Sequence, residues 1–200
     1  MSPQPENHAA PTTQDEFTRE ERFILLKLAH ESILSALEHR EISLDPPSPR
    51  FSEPRGAFTT LYLQGQLRGC VGYVLPVISL YRTVAETARA AAFEDTRFPP
   101  VTLVEAPALE ISLSVLSPLR AIKPEEVEIG VHGLVVSYGG RRGLLLPQVP
   151  VEHGWDRLTF IEQTCQKAGL PRDAWKSGAT LEAFTAEVFG DASEATRPRE

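Results

Sequence analysis

Cysteine is scarce in this chain. Cys70 and Cys165 are the only two, far apart and without a C-x-x-C spacing. That count excludes a disulfide framework, and with no third or fourth soft ligand it excludes a structural zinc site. Long apolar runs are missing as well: no stretch approaches the roughly 18 residues of a membrane-spanning helix. The opening MSPQPENHAAPTTQDE has neither a basic n-region nor an apolar h-region, so no secretory signal is expected there. Together these absences set the expectation of a cytoplasmic protein with reduced thiols and no membrane contact. Positive charge is also short. Lys and Arg number 20 against 27 Asp and Glu, a net charge of −7, and no basic stripe is present for a phosphate backbone. Nucleic acid is therefore not an expected partner. The P-loop, G-x-G-x-x-G and G-x-S-x-G motifs are all absent. His30, in HESIL, lacks the second histidine of H-E-x-x-H.

What is present reads as an ordinary globular chain, 42% apolar and 24% charged. Residues 1–14 and 191–200 are polar and are expected as disordered tails around a domain at 15–190. Thr18 and Glu21 form a capping-box pattern opening a helix whose stripe is Leu26, Ala29, Ile33 and Leu37. DPPSPRFSEPRG, with four prolines, reads as a loop. GAFTTLYL and QLRGCVGYVL flank Gln64-Gly65 as a hairpin, and LYRTVAETARAAAF is a small-residue helix. At its C-terminal end Glu94 and Asp95 oppose the helix dipole, so another group is expected to engage them. ALEISLSVLS alternates with Leu109, Ile111, Leu113 and Val115 on one face. Residues 131–149 form a second hairpin at Gly139-Gly140. Residues 155–169 form a helix with the stripe Leu158, Ile161, Cys165 and Ala168, and 180–189 form a final strand. Intermixed helices and hairpins indicate an α+β fold.

The candidate chemistry centres on LRGCVG, residues 67–72. In an extended strand Arg68 and Cys70 share a face, with Leu67, Val71 and Tyr73 on the other. A guanidinium beside a thiol favours thiolate, while Gly69 and Gly72 let a ligand or another backbone come close. Against this, glycine in a strand also marks a bulge, and a free cysteine is often a small buried hydrophobe. His132 is a base for Cys70 if the fold brings them together, and otherwise a hydrogen-bonded core residue. Gln148 and Glu152 follow a strand end, where sites are often built. Asp95 and Arg97 read first as a pair bracing a loop.

Six motifs, LRGCVG, ARAAAFEDTRFPP, LEISLSVLSPLRAI, IGVHGLVV, RGLLLPQV and WDRLTFIEQTCQKAGLP, occur in the order and spacing of the AMMECR-type domain. The chain resembles that family, whose prokaryotic members are called protein A of the AmmeMemoRadiSam system, over about residues 18–190. The resemblance implies an α+β fold with an antiparallel sheet flanked by helices and a smaller second lobe. It implies that Leu67–Gly72 lies at a cleft, and that a Memo-type protein and a radical SAM protein are functional partners. It names no reaction, cofactor, metal or oligomeric state. Thr96 departs from the proline often found in the family's D-P-R-F loop. Two readings lead: an accessory or binding component using the cleft of Leu67, Gly69, Val71 and Gly72 with Asp95, Arg97, Gln148 and Glu152, or an enzyme with Cys70 as activated thiol, Arg68 as activator and His132 or Glu152 as proton carrier. A third makes Cys70 and His132 part of a metal site completed by a partner.

Overall fold

The computed structural model describes residues 16–192. Residues 1–14, and the second tail beyond Ala192, lie outside them. Two four-stranded antiparallel sheets carry the fold. The first, in the order β2-β1-β3-β8, is built from β1 (Ala57–Leu63), β2 (Gln66–Tyr73), β3 (Leu109–Leu116) and β8 (Ala186–Gly190). The second, in the order β4-β7-β5-β6, is built from β4 (Arg120–Ala121), β5 (Gly133–Tyr138), β6 (Arg141–Leu145) and β7 (Thr180–Phe184).

Helices α1 (Arg19–Leu37) and α3 (Leu80–Phe93) pack together against one face of the first sheet. The α1 capping box forms as its sequence pattern predicts: Thr18 Oγ1 accepts from Glu21 N–H, and Glu21 accepts from Thr18 N–H. Under the helices the inward residues of β3, Leu109, Ile111, Leu113 and Val115, are all buried. Buried Thr59 and Thr87 satisfy each other at 2.8 Å between β1 and α3. A second core joins β5 and β7 to α5 (Arg157–Lys167). Leu116, Val135 and Phe184, with Phe58, Leu144 and Leu146 around them, form a third cluster that ties the two sheets together.

Four expectations change. The 180–189 segment is two strands, because the chain breaks at Thr185 and delivers β7 to one sheet and β8 to the other. Ser117 pins that break, its N–H donating to Thr185 O and its Oγ accepting from Thr185 N–H, each at 2.9 Å. The proline-rich loop contains a single helical turn, α2 (Pro49–Ser52), with Pro49 at the start, where its missing N–H costs nothing. Leu158 is exposed, and the buried stripe of α5 runs instead through Phe160, Ile161, Thr164 and Cys165. Asp191, placed in the C-terminal tail by sequence, is tied down: its Oδ2 accepts from Ile111 N–H at 2.7 Å and pairs with His30 at 2.9 Å.

Candidate functional site

The LRGCVG strand is an edge strand, and its geometry turns on one extra residue. The Gln64-Gly65 turn has both residues at positive φ, 53° and 75°, as a type I′ hairpin requires. Pairing then slips: Tyr62 faces Leu67, but Leu61 faces Gly69, leaving Arg68 as a bulge. The strict alternation expected from sequence therefore fails at this point. Leu67 lands on the same face as Cys70, and Arg68 turns aside. Val71 keeps its predicted side and packs into the helix-facing core.

Arg68 does not serve the thiol. Its guanidinium makes four hydrogen bonds: to Glu105 Oε1 and Oε2 at 3.0 and 3.2 Å, and to the carbonyls of Pro99 and Pro100 at 2.8 and 3.3 Å. Its side chain is only 11% exposed. The Arg68 pairing, followed by the Thr102 backbone N–H, lowers the Glu105 carboxyl from 4.5 to about 2. Asp95, two residues beyond α3, holds the same edge, its Oδ2 accepting from Cys70 N–H at 2.9 Å. Arg97 clamps Asp95 through both carboxylate oxygens at 2.9 and 2.7 Å. Hydrogen bonds from Arg97, then from Cys70 N–H, hold the Asp95 carboxyl well below the usual carboxylate range. Asp95 is the partner-engaged acid that the unfavourable helix end called for. Segment 94–105 thus covers the open edge of β2, which would otherwise offer unpaired N–H groups to another strand.

Both glycines have packing reasons. A Cβ on Gly69 would lie 2.1 Å from the Ala91 carbonyl oxygen, so α3 approaches β2 backbone to backbone. A Cβ on Gly72, on the opposite face, would lie 2.1 Å from the Phe58 ring. Cys70 stands between them on the face turned away from the helices, where Thr60 Oγ1 donates to its sulfur at 3.3 Å. That face continues across the sheet as Cys70, Thr60, Ser112 and Gly190, with Gly72, Phe58, Ser114 and Val188 in the next row. A hollow of about 380 Å³ opens on it beside Tyr62, Glu110, Ser112 and Val188. The nearby cation is Arg97. Its guanidinium is raised first by its hydrogen bonds to Asp95, with smaller contributions from the charges of Asp95 and Cys70.

His132 lies just before β5, in the second sheet, and is 5% exposed. Its ring closes the Glu128–His132 turn: Nδ1 accepts from Glu128 N–H at 3.0 Å while His132 N–H donates to Glu128 O at 3.0 Å. Nε2 faces Arg120 at 3.0 Å. Burial, then the Arg120 charge, pushes the imidazole down, against a smaller opposing effect of Glu128. Nδ1 is held by the Glu128 turn and Nε2 faces Arg120, both in the second sheet, so His132 is not set as a base for Cys70. His132→Ala removes the acceptor of the part-buried Glu128 N–H and is expected to cost about 1 kcal/mol in thermal unfolding. Gln148 and Glu152 occupy the ends of a short exposed helix, α4 (Gln148–Glu152), rather than a strand-end loop. Cys165 is fully buried and its thiol is pushed up, mainly by burial. Under native conditions a small alkylating reagent is expected to label Cys70 alone, with Cys165 labelled only on unfolding; peptide mass mapping reads this directly.

Sequence reasoning missed Thr60, Glu105 and Arg120. Glu105 carried a local signal, the T-x-x-E spacing from Thr102, whose N–H and Oγ1 both donate to Glu105 Oε2, at 2.8 and 2.9 Å. Thr60 had none, since the hairpin turn alone pairs it with Gly69 and only the bulge moves it opposite Cys70.

Fold and site define a two-sheet α+β protein with an edge-stapled thiol strand and an open, hydroxyl-lined sheet face. The AMMECR1 family model matches residues 26–189, and the chain belongs to that family. It is 42% identical over 187 residues to a protein of Methanopyrus kandleri, covering 88% of this chain and 90% of that one. A protein of Aquifex aeolicus is 40% identical over 175 residues, covering 82% and 90%. Among solved structures, an uncharacterized protein from Pyrococcus horikoshii superposes with a TM-score of 0.69 at 37% identity, covering 87% of this chain and 93% of that one. Among the described residues no helix is long and apolar enough to cross a membrane, and no cluster of three or more His, Cys, Asp or Glu is placed to hold a metal.

Proposed function

We propose that this protein is an accessory, partner-binding component of a Memo- and radical-SAM-associated modification system, and that it docks a Memo-type protein on the sheet face containing Cys70. The observation that carries this reading is the commitment of the charged groups around the thiol strand to structural partners. Arg68 holds Glu105 and two prolyl carbonyls, and Asp95 holds Arg97 and the Cys70 N–H. The groups left facing outward are Thr60, Cys70, Ser112 and Ser114, with exposed Glu110, Leu67 and Val188 at the margins. Mainly uncharged donors and acceptors, with a few apolar anchors and a single carboxylate at the edge, suit a protein interface better than acid–base chemistry. The test is hydrogen–deuterium exchange of the chain with and without a Memo-type protein. Protection is expected at β2 and segment 94–105. Protection confined to the second sheet and α5, or none at saturating partner, refutes the reading.

One observation favours a second reading, a cysteine-dependent enzyme. Thr60 Oγ1 donates to the Cys70 sulfur at 3.3 Å. In that reading Arg97, rather than Arg68, is the cation that supports a thiolate. Arg97→Gln then slows Cys70 alkylation severalfold, whereas in the docking reading it leaves the rate within about twofold.

A further inference from the structure

Hydrogen-bond chemistry at His132 leaves one contact mismatched. The Glu128 backbone N–H can only donate, so the His132 Nδ1 that receives it carries no proton. A neutral imidazole then bears its hydrogen on Nε2, pointing at the Arg120 guanidinium 3.0 Å away. Arginine has five donors and no acceptor. Two donors therefore converge, one on a side chain 95% buried by its 5% exposure and the other on an exposed one. An acceptor placed between them satisfies both. Arg120 sits on β4, a two-residue strand at the edge of the second sheet, where its exposed side chain is free to shift and admit a ligand atom.

We propose that Arg120 and the His132 Nε2–H form a carboxylate-binding site. The guanidinium fork matches the two oxygens of a carboxylate in plane, and the imidazole N–H supplies a third donor fixed by the Glu128–His132 turn. One formal positive charge balances one negative charge, so a monoanion fits better than a phosphate dianion. Glu128, the other charged group acting on the ring, opposes any added negative charge, so the guanidinium fork and the fixed Nε2–H must outweigh it, and a dianion is opposed more than a monoanion. Among the described residues no carboxylate occupies the position: Arg120 forms no ion pair, and His132 is its hydrogen-bond partner. This site lies in the other lobe from the Cys70 face and stands or falls separately from the docking reading.

The test is nuclear magnetic resonance of the full chain, following the His132 ring nitrogens while sodium acetate is added at constant ionic strength. Before addition the ring is expected as the Nε2–H tautomer. Acetate is expected to shift the ring signals saturably with half-saturation in the roughly millimolar range, and inorganic phosphate to bind more weakly. Arg120→Gln, at an exposed position, is expected to weaken acetate binding about tenfold or more while leaving the tautomer and the melting temperature unchanged. Arg120→Lys keeps the charge without the fork and is expected to fall between. A second arm uses a short peptide with a free C-terminus beside its amide: tighter binding of the free acid than of acetate assigns a chain terminus, and equal binding assigns a small acid. A linear, non-saturating response, an identical response in Arg120→Gln, or an Nδ1–H tautomer overturns the proposal.

Discussion

Replacing Gly69 with alanine is expected to destabilise the protein by about 3 kcal/mol, the upper end for overpacking, and to lower the melting temperature by about 6–12 °C. The new methyl would meet the Ala91 carbonyl oxygen at 2.1 Å, and the atoms in the way are backbone. Relief requires α3 to lift from β2, which would loosen the small-residue helix face of Ala88, Ala91 and Ala92 from the sheet. Gly72→Ala provides the control. Its obstacle is the Phe58 ring, a side chain able to rotate, so a loss of about 1–2 kcal/mol is expected. Melting followed by circular dichroism separates them. Equal losses at the two positions would show that the approach of α3 to β2 is not what requires glycine in this hexapeptide.

Arg68→Gln is expected to cost about 2 kcal/mol, because it leaves Glu105 without its cation and frees the prolyl carbonyls of the edge-covering segment. It also has a pH signature. Glu105 titrates at about 2 in the folded protein against an ordinary value of 4.5, so between those values the unfolded chain binds more protons than the folded one. Stability from this pair is therefore full above about pH 4.5 and is lost as pH falls towards about 2. Denaturant titrations across that window should show a shallower acid loss in Arg68→Gln than in the unsubstituted protein. Parallel slopes would mean that Arg68 does not set the Glu105 carboxyl.

Much of the fold was legible because its signals are local. The α1 capping box, the alternation of β3, and the Gln64-Gly65 and Gly139-Gly140 turns each state their structure within a few residues. The division of 180–189 between two sheets was not legible. Leu181, Ala183, Phe184 and Phe189 are all buried, and no break residue marks Thr185; the break follows from Ser117, distant in sequence. At the site, the hexapeptide was legible as a place where small residues surround a thiol. The bulge at Arg68 then reassigned the roles, since inserting one residue exchanges faces on one side of it. Arg68 became a staple, Leu67 joined the thiol face, and Arg97 became the nearby cation. His132 was visible as a histidine among apolar strand residues, but its partners Glu128 and Arg120 are set by a turn and an edge strand that spacing alone does not specify.

The most direct test of the account is the affinity of the full chain for a Memo-type protein, measured by calorimetry for Ser112→Arg and Cys70→Ser. Ser112 stands in the row of the open face that runs from Cys70 through Thr60 to Gly190, and an arginine there would project from the sheet into any docked surface. Binding is expected to weaken about tenfold or more for Ser112→Arg and to stay within about twofold of unsubstituted for Cys70→Ser, with both variants melting normally. Undiminished binding by Ser112→Arg, or loss of binding on Cys70→Ser alone, would contradict it.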